Sequence, residues 1–272
     1  MRIALLTLEA LAAARAVRRF VAADPERIAL IGLSDPFRRE AGGALGQTWK
    51  RLRVSGPGIL PYLFLNFSAP RLAGLLRRPD PADVGATPIR RTAERLGIST
   101  IDVPDVNAPA FRERLAASGA DLLVTFHFDQ ILKAETIATP TLGGINVHAG
   151  LLPRHRGPVP TIHALLDEPV ALGVSIHRLA PRIDAGALLG QVTLPDEPGL
   201  TALSAASRLH EAALPALEEA LRAVTSGSGD GTALPVLPYR GFPTPGELRQ
   251  LRAKGRRAAG FRDLRAAWET PC

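Results

Sequence analysis

The amino-acid sequence predicts an α/β protein built on a doubly wound, mostly parallel sheet. Short apolar runs alternate with Ala/Arg-rich segments of helical periodicity along most of the chain, the pattern of strands interleaved with crossover helices. The 272 residues are 46% hydrophobic, enough for one large core or for a core domain with a modest appendage. The first strand-to-helix turn, Leu6-Thr7-Leu8-Glu9, lacks the glycines that close approach of a pyrophosphate requires, so a dinucleotide is not the expected ligand.

Residues 2–8 and 28–34 read as strands and the segment 9–22 between them as a helix, making a β-α-β unit. From 36 to 86 the rhythm breaks at Gly42-Gly43, Gly56-Pro57-Gly58 and Pro79-Asp80-Pro81, while Trp49, Leu52, Leu60, Phe64, Phe67 and Leu72 mark helical pieces between the breaks. This stretch is expected to be an insertion beside the sheet, with no role assigned. Alternation returns with a helix over 88–96 capped by Thr87, a short strand over 98–103, a helix over 109–118 and a strand over 121–126. A strand at 144–148, a loop rich in Pro, Arg and Gly, a helix over 161–166, strands at 171–179 and 187–194 and a long helix over 202–224 follow. The Ser/Gly run 226–231 reads as a linker, and 232–272 as a short basic tail with a helix over 245–254. The expected organisation is a catalytic domain over 1–225 and an extension over 226–272.

Composition narrows the function classes. Cys272 is the single cysteine, which leaves no internal disulfide or cysteine-based zinc site and suits a reducing cytoplasm. Glu9, Arg15, Arg18 and Arg19 fall where a signal peptide needs apolar residues, so the N-terminal run is expected to be a buried strand. No stretch reaches the ~18 uninterrupted apolar residues of a membrane span. The run 58–65 is short and rich in Pro and Gly, so no span is expected there, although it could pack on a membrane or a partner. The net charge of +7 comes from 33 Lys+Arg against 26 Asp+Glu, nearly all of the cations being arginine, which forks onto phosphates and carboxylates. An anionic partner and a chain-wide bias toward arginine explain this equally well.

The chemistry concentrates between Gly143 and Pro160. Side chains alternate along a strand, so Asn146 and His148 share one face and Ile145 and Val147 the other. The carboxyl ends of parallel strands open onto the ligand crevice of such a sheet. An amide donor beside an imidazole there suits a developing oxyanion, and an ordinary polar strand edge is the plainer alternative. Downstream, Gly173-Val174-Ser175-Ile176-His177-Arg178-Leu179 alternates like a strand and leads to Asp184 in a Pro/Gly-flanked loop, where an acid is commonly a turn residue. Arg154, His155 and Arg156 form a basic loop that reads either as a solvated turn or as a site for phosphate or carboxylate. His163 and His210 are expected on helix surfaces or interfaces, and His127 and His177 in the core or behind the site. With no cysteine cluster and no paired acidic spacing, no metal is expected.

Together these blocks resemble the formyltransferase family. Its signature reads Asn-x-His-Pro-Ser-Leu-Leu-Pro, commonly then Arg-Gly, with a Gly-Val-Thr-x-His strand and an Ile-Asp-x-Gly loop after about thirty residues. This chain carries Asn146, His148, Leu151-Leu152-Pro153, Arg156-Gly157, Gly173-Val174, His177, Ile183-Asp184 and Gly186. The resemblance spans residues 85–225, and the order and spacing of separate blocks make it specific. It implies the Rossmann-like formyltransferase sheet, Asn146, His148 and Asp184 as catalytic residues, and 10-formyltetrahydrofolate as formyl donor. It also implies donor walls formed by Phe128, Asp129, Gln130, Ile131 and Leu132 and by Ala180, Pro181, Arg182 and Ile183, where backbone groups can match a pterin edge. Gly150, Arg154 and Arg156 are the implied acceptor-side residues. Ala149-Gly150 replaces the family's Pro-Ser, which removes a hydroxyl and a ring that stiffens the turn.

The expected activity is formyl transfer to a small amine, with a phosphorylated acceptor such as an amino-sugar nucleotide among the readings. Arg156-Gly157 with a nearby proline is closer to the tRNA and sugar branches than to the purine branch. A tRNA acceptor goes in the family with a C-terminal β-barrel of about a hundred residues. Only some forty follow the linker here, so nucleic acid is not expected as a partner. A formyltetrahydrofolate hydrolase using water as nucleophile stays open, as do a non-catalytic folate- or nucleotide-binding module and a homodimer.

Overall fold

The computed structural model describes residues 1–37, 42–76 and 83–272; the expected break at Pro79-Asp80-Pro81 lies outside them. Seven strands form one sheet: β1 (Ile3–Leu8), β2 (Ile28–Ser34), β3 (Thr100–Asp102), β4 (Leu122–Phe126), β5 (Gly144–His148), β6 (Leu172–Arg178) and β7 (Leu188–Leu194). Their order is β3-β2-β1-β4-β5-β6-β7, parallel from β3 to β5 and antiparallel at β6 and β7. The mostly parallel α/β sheet read from the sequence is therefore the one observed. The chain leaves β1 toward β2 and β3, then returns to build β4 and β5 on the other side, so a crevice opens where the connections diverge at the carboxyl ends of β1 and β4.

In chain order the helices are α1 (Ala14–Ala23), α2 (Gly43–Ser55), α3 (Pro57–Leu76), α4 (Ile89–Arg95), α5 (Pro109–Ala117), α6 (Ala134–Ile137), α7 (Pro160–Ala164), α8 (Ala202–Thr225), α9 (Pro245–Ala253) and α10 (Phe261–Glu269). The two-residue period of β1 sends Ile3 and Leu5 to one side and Ala4 and Leu6 to the other. Phe20 of α1 and Leu209 and Leu217 of α8 close the first side, and Phe111 and Leu115 of α5 the second. Each such fully buried aliphatic or aromatic side chain contributes about 1.5–3 kcal/mol.

Two expected boundaries move. Residues 10–13 precede α1 as a turn, and the N-terminus of α4 is met by Glu9 rather than by Thr87. The Glu9 carboxylate accepts from the Ile89 N–H at 2.7 Å, while the Thr87 hydroxyl donates to the Asp83 carbonyl. The same carboxylate pairs with Arg18, which is fully buried and also donates to the carbonyls of Gly85 and Pro271.

The insertion is α2 and α3. Pro70 has no N–H to return to the Asn66 carbonyl, and just before it the helix widens into a π turn over Phe64–Ser68. That carbonyl accepts instead from Leu11 N at 2.9 Å, and the buried Asn66 Oδ1 accepts from Ala12 N at 2.9 Å, tying the insertion to the loop after β1. The prolines and glycines do not break α3, which is long and apolar enough, by length and composition, to cross a membrane. Its Ile59, Tyr62 and Leu65 nevertheless pack into a cluster with Ile162 of α7, Leu203 of α8, Leu248 and Leu251 of α9 and Ala267 of α10. Helix α9 lies where the sequence predicts it, opened by a reciprocal cap between Thr244 and Glu247. The sequence reading missed α10. It is anchored by the buried Asp263, which accepts from Gly260 N at 2.7 Å and from the Thr201 hydroxyl at 2.9 Å.

Candidate active site

Antiparallel pairing of β5 with β6 sets Asn146 opposite His177 and His148 opposite Ser175. Parallel pairing of β4 with β5 sets Thr125 beside Asn146. The Thr125 hydroxyl donates to Asn146 Oδ1 at 2.7 Å, and Asn146 Nδ2 lies 3.0 Å from His177 Nε2. His177 Nδ1 lies 2.8 Å from the Arg178 carbonyl, which can only accept, so Nδ1 carries the hydrogen and Nε2 accepts from the amide. Both ends of the Asn146 amide are thereby fixed, and one of its two hydrogens remains for a ligand. Burial, reinforced by the nearby His148, pushes the His177 pKa down and keeps the ring neutral in this role.

His148 Nε2 lies 2.7 Å from the His155 carbonyl, so that nitrogen donates. Its Nδ1 faces Asp184 Oδ1 at 3.7 Å, and His177 Nε2 is 3.8 Å from the same oxygen. Both separations are too long for hydrogen bonds. Asp184 sits in a turn that is tied across the site. Its φ of 47° is a left-handed value uncommon outside glycine, and Oδ2 accepts from Gly157 N at 2.9 Å across the site. Gly157 permits this contact because its own φ is 137° and a Cβ there would come within 1.8 Å of the Arg240 carbonyl oxygen.

Arg156 does not face an acceptor, as the sequence reading expected. It is 4% exposed, and its guanidinium donates to the carbonyls of Asp184, Ile183 and Leu237. The reason is the loop's need to cover Asp184 while leaving no backbone carbonyl bare. Arg154 is exposed on the outside, 3.5 Å from Asp167, and His155 turns inward to the same carboxylate at 2.7 Å. Gly150 is buried, and a Cβ there would stand 2.9 Å from His148 Nε2, so this histidine position is incompatible with the family's serine unless the loop shifts.

A cleft of about 920 Å³ opens in front of these groups. Asn146, His148 and Asp184 line it together, as do Phe128, Asp129, Gln130, Ile131 and Leu132 on one wall and Ala180 and Ile183 on the other. Pro181 and Arg182 are exposed and lie outside the lining. The Gln130 side chain donates to Ser34 and Val103 and accepts from Val106 N, which braces this loop against the sheet. His163 and His210 are buried rather than on helix surfaces. His163 Nε2 lies 3.0 Å from the Gly241 carbonyl, and His210 Nδ1 lies 2.8 Å from the carbonyls of both Ala12 and Ala206. Sequence reasoning missed Thr125, Arg51, Tyr239 and Phe242 as cleft residues. Thr125 becomes legible only once the β4–β5 register is known. Among the described residues no group of His, Cys, Asp or Glu is arranged to hold a metal ion.

An amide, an imidazole and a carboxylate gather at the strand ends of a doubly wound α/β sheet, groups chemically suited to a developing oxyanion. The chain belongs to the formyl transferase family, whose sequence model matches residues 86–221, half of its length. It is 35% identical over 142 residues to the methionyl-tRNA formyltransferase of Herpetosiphon aurantiacus, covering 50% of this chain and 46% of that protein. It is 37% identical over 135 residues to the methionyl-tRNA formyltransferase of Rhodopirellula baltica, covering 49% and 40%. The chain thus spans about half the length of these curated relatives, or less. Its fold is similar to that of a glycinamide ribonucleotide transformylase from Symbiobacterium toebii, with TM-score 0.56, 17% identity and coverage of 86% and 93%. A sugar N-formyltransferase from a Shewanella species gives TM-score 0.53, 17% identity and coverage of 92% and 80%. Relatives named for tRNA remove the ground on which nucleic acid was set aside as a partner.

Proposed function

We propose that this chain transfers the formyl group of 10-formyltetrahydrofolate to an amine. One observation carries the reading: the Asn146 amide is fixed at both ends by Thr125 and His177, leaving a single aimed N–H beside His148 and Asp184 in one cleft. The acceptor nitrogen attacks the formyl carbon, a C–N bond forms, and the carbonyl oxygen takes the negative charge. Asn146 donates to that oxygen. With Nε2 already donating to the His155 carbonyl, His148 adds a second donor at Nδ1 when protonated. Asp184 faces that nitrogen and assists the proton from the attacking amine toward the departing folate nitrogen. Collapse then breaks the bond from the formyl carbon to that nitrogen, giving the formamide and tetrahydrofolate.

For the acceptor we favour a small amine bearing an anionic group, because Tyr239, Gly241 and Phe242 line the cleft beside the Arg51 guanidinium of α2. An aminoacyl-tRNA is the second reading, supported by the names of the matched relatives. A cytoplasmic setting belongs to the same proposal. The test is tetrahydrofolate release with methionyl-tRNA and with a panel of nucleotide-linked amino sugars. Asn146→Ala and His148→Ala should each lower turnover by roughly a hundredfold or more while folate affinity stays within a few fold. Turnover close to that of the unsubstituted protein in both variants sinks the proposal.

A further inference from the structure

Arg51 of α2 is the one Arg or Lys side chain among the described residues that line the cleft. Its guanidinium carbon lies 3.8 Å from the centroid of the Phe242 ring, so one face of the fork rests on an aromatic ring contributed by the segment before α9. Burial pulls its pKa below the usual guanidinium value, only partly countered by Tyr239 and Asp129 nearby. No carboxylate comes within 4.0 Å of it among the described residues. The contrast with the chain's other enclosed arginines is sharp. Arg18 has Glu9, Arg27 has Glu218, and Arg156 has three backbone carbonyls.

A half-buried cation facing an apolar cleft is costly unless an anion meets it. We infer that Arg51 is an anion-binding residue of the cleft, presenting its N–H edge to a phosphate or carboxylate of a bound substrate while Phe242 covers its face. The inference rests on the transferase reading only for which substrate supplies the anion. Two sources share this chemistry: a phosphate on the acceptor and the glutamate carboxylates of the folate donor. A planar fork suits both, and an ammonium in its place loses the two-point geometry.

The experiment is calorimetric titration of the full chain, unsubstituted and as Arg51→Gln and Arg51→Lys. The probes are folate, pteroate (which lacks the glutamate) and thymidine diphosphate, each at two ionic strengths. Thermal melts verify that the variants fold. In Arg51→Gln one anionic probe should weaken about tenfold or more, with a smaller loss in Arg51→Lys and a smaller difference at higher salt. Weaker folate with unchanged pteroate assigns the site to the donor's tail. Weaker thymidine diphosphate with unchanged folate and pteroate assigns it to the acceptor. Unchanged affinity for every probe in a folded Arg51→Gln variant overturns the inference, and so does failure of the unsubstituted protein to bind folate or thymidine diphosphate. Because these are binding measurements, Arg51 can pass while formyl transfer fails, or the reverse.

Discussion

At the scale of single residues, the site separates groups that face the ligand from groups that aim them. His177 decides which end of the Asn146 amide is the nitrogen, and the Thr125 hydroxyl, which never needs to touch a substrate, holds the oxygen end in place. Thr125→Val keeps the shape and removes the donor, at a cost of about 0.5–1.5 kcal/mol for one hydrogen bond, so kcat should fall roughly two- to tenfold. Folate affinity should hold, and Thr125→Ser should restore the rate. A variant with unchanged kcat would mean the amide is oriented by His177 alone. Asn146, His148 and Asp184, which line one cleft, could be grouped from the sequence because they stand in blocks whose order and spacing resemble those of the formyltransferase family. Thr125 could not, because its relation to Asn146 is a sheet register, which linear spacing does not encode.

At the scale of elements, the basic loop shows how the same letters can serve opposite ends. From the sequence, Arg156 was a charge for an acceptor; in the fold it holds the carbonyls of Ile183 and Asp184 and so sets the backbone that turns Asp184 to a φ of 47°. Arg156→Ala leaves those buried acceptors without donors, at about 1–3 kcal/mol. The expected outcome is a melting temperature lower by several degrees together with a fall in kcat, rather than a selective rise in the acceptor's KM. Steady-state kinetics with each substrate varied, alongside a thermal melt, decides the matter. A salt-sensitive KM effect with no change in melting would return Arg156 to the ligand. The insertion was only partly legible for a related reason. Its helical pieces are written in Trp49, Leu52, Leu60 and Phe64, but its attachment depends on Asn66, whose carbonyl matters because Pro70 four residues on cannot bond to it.

At the scale of the whole molecule, the buried histidines couple stability to acid. Burial holds the His210 pKa down to about 4, against an ordinary value of 6.5. Above 6.5 the ring is neutral whether the chain is folded or not, so nothing is lost there. As pH falls from 6.5 toward 4, the unfolded chain takes up a proton that the folded chain refuses, and stability declines by up to about 1.4 kcal/mol per pH unit from this group. Below the folded value the penalty levels off. Urea unfolding between pH 7 and 4 should show this decline, and His210→Gln should flatten part of it. A variant with the same slope would assign acid sensitivity to other groups. The mostly parallel sheet was legible because its strands are separate apolar runs, whereas α10 was not, since its anchor, Asp263, finds a partner in Thr201 only after the chain has folded back.

The division of labour along the chain has one more consequence. The segment matched by the family, 86–221, holds Asn146, His148 and Asp184, whereas Arg51 and Phe242 lie on either side of it. On the proposed reading, evolution could retarget the enzyme by recombining the flanks and sparing the catalyst. The flanks would have to travel together, because the guanidinium from one rests on the ring from the other. A chimera that imports only one of them should keep the chemistry and recognise neither parent's substrate well.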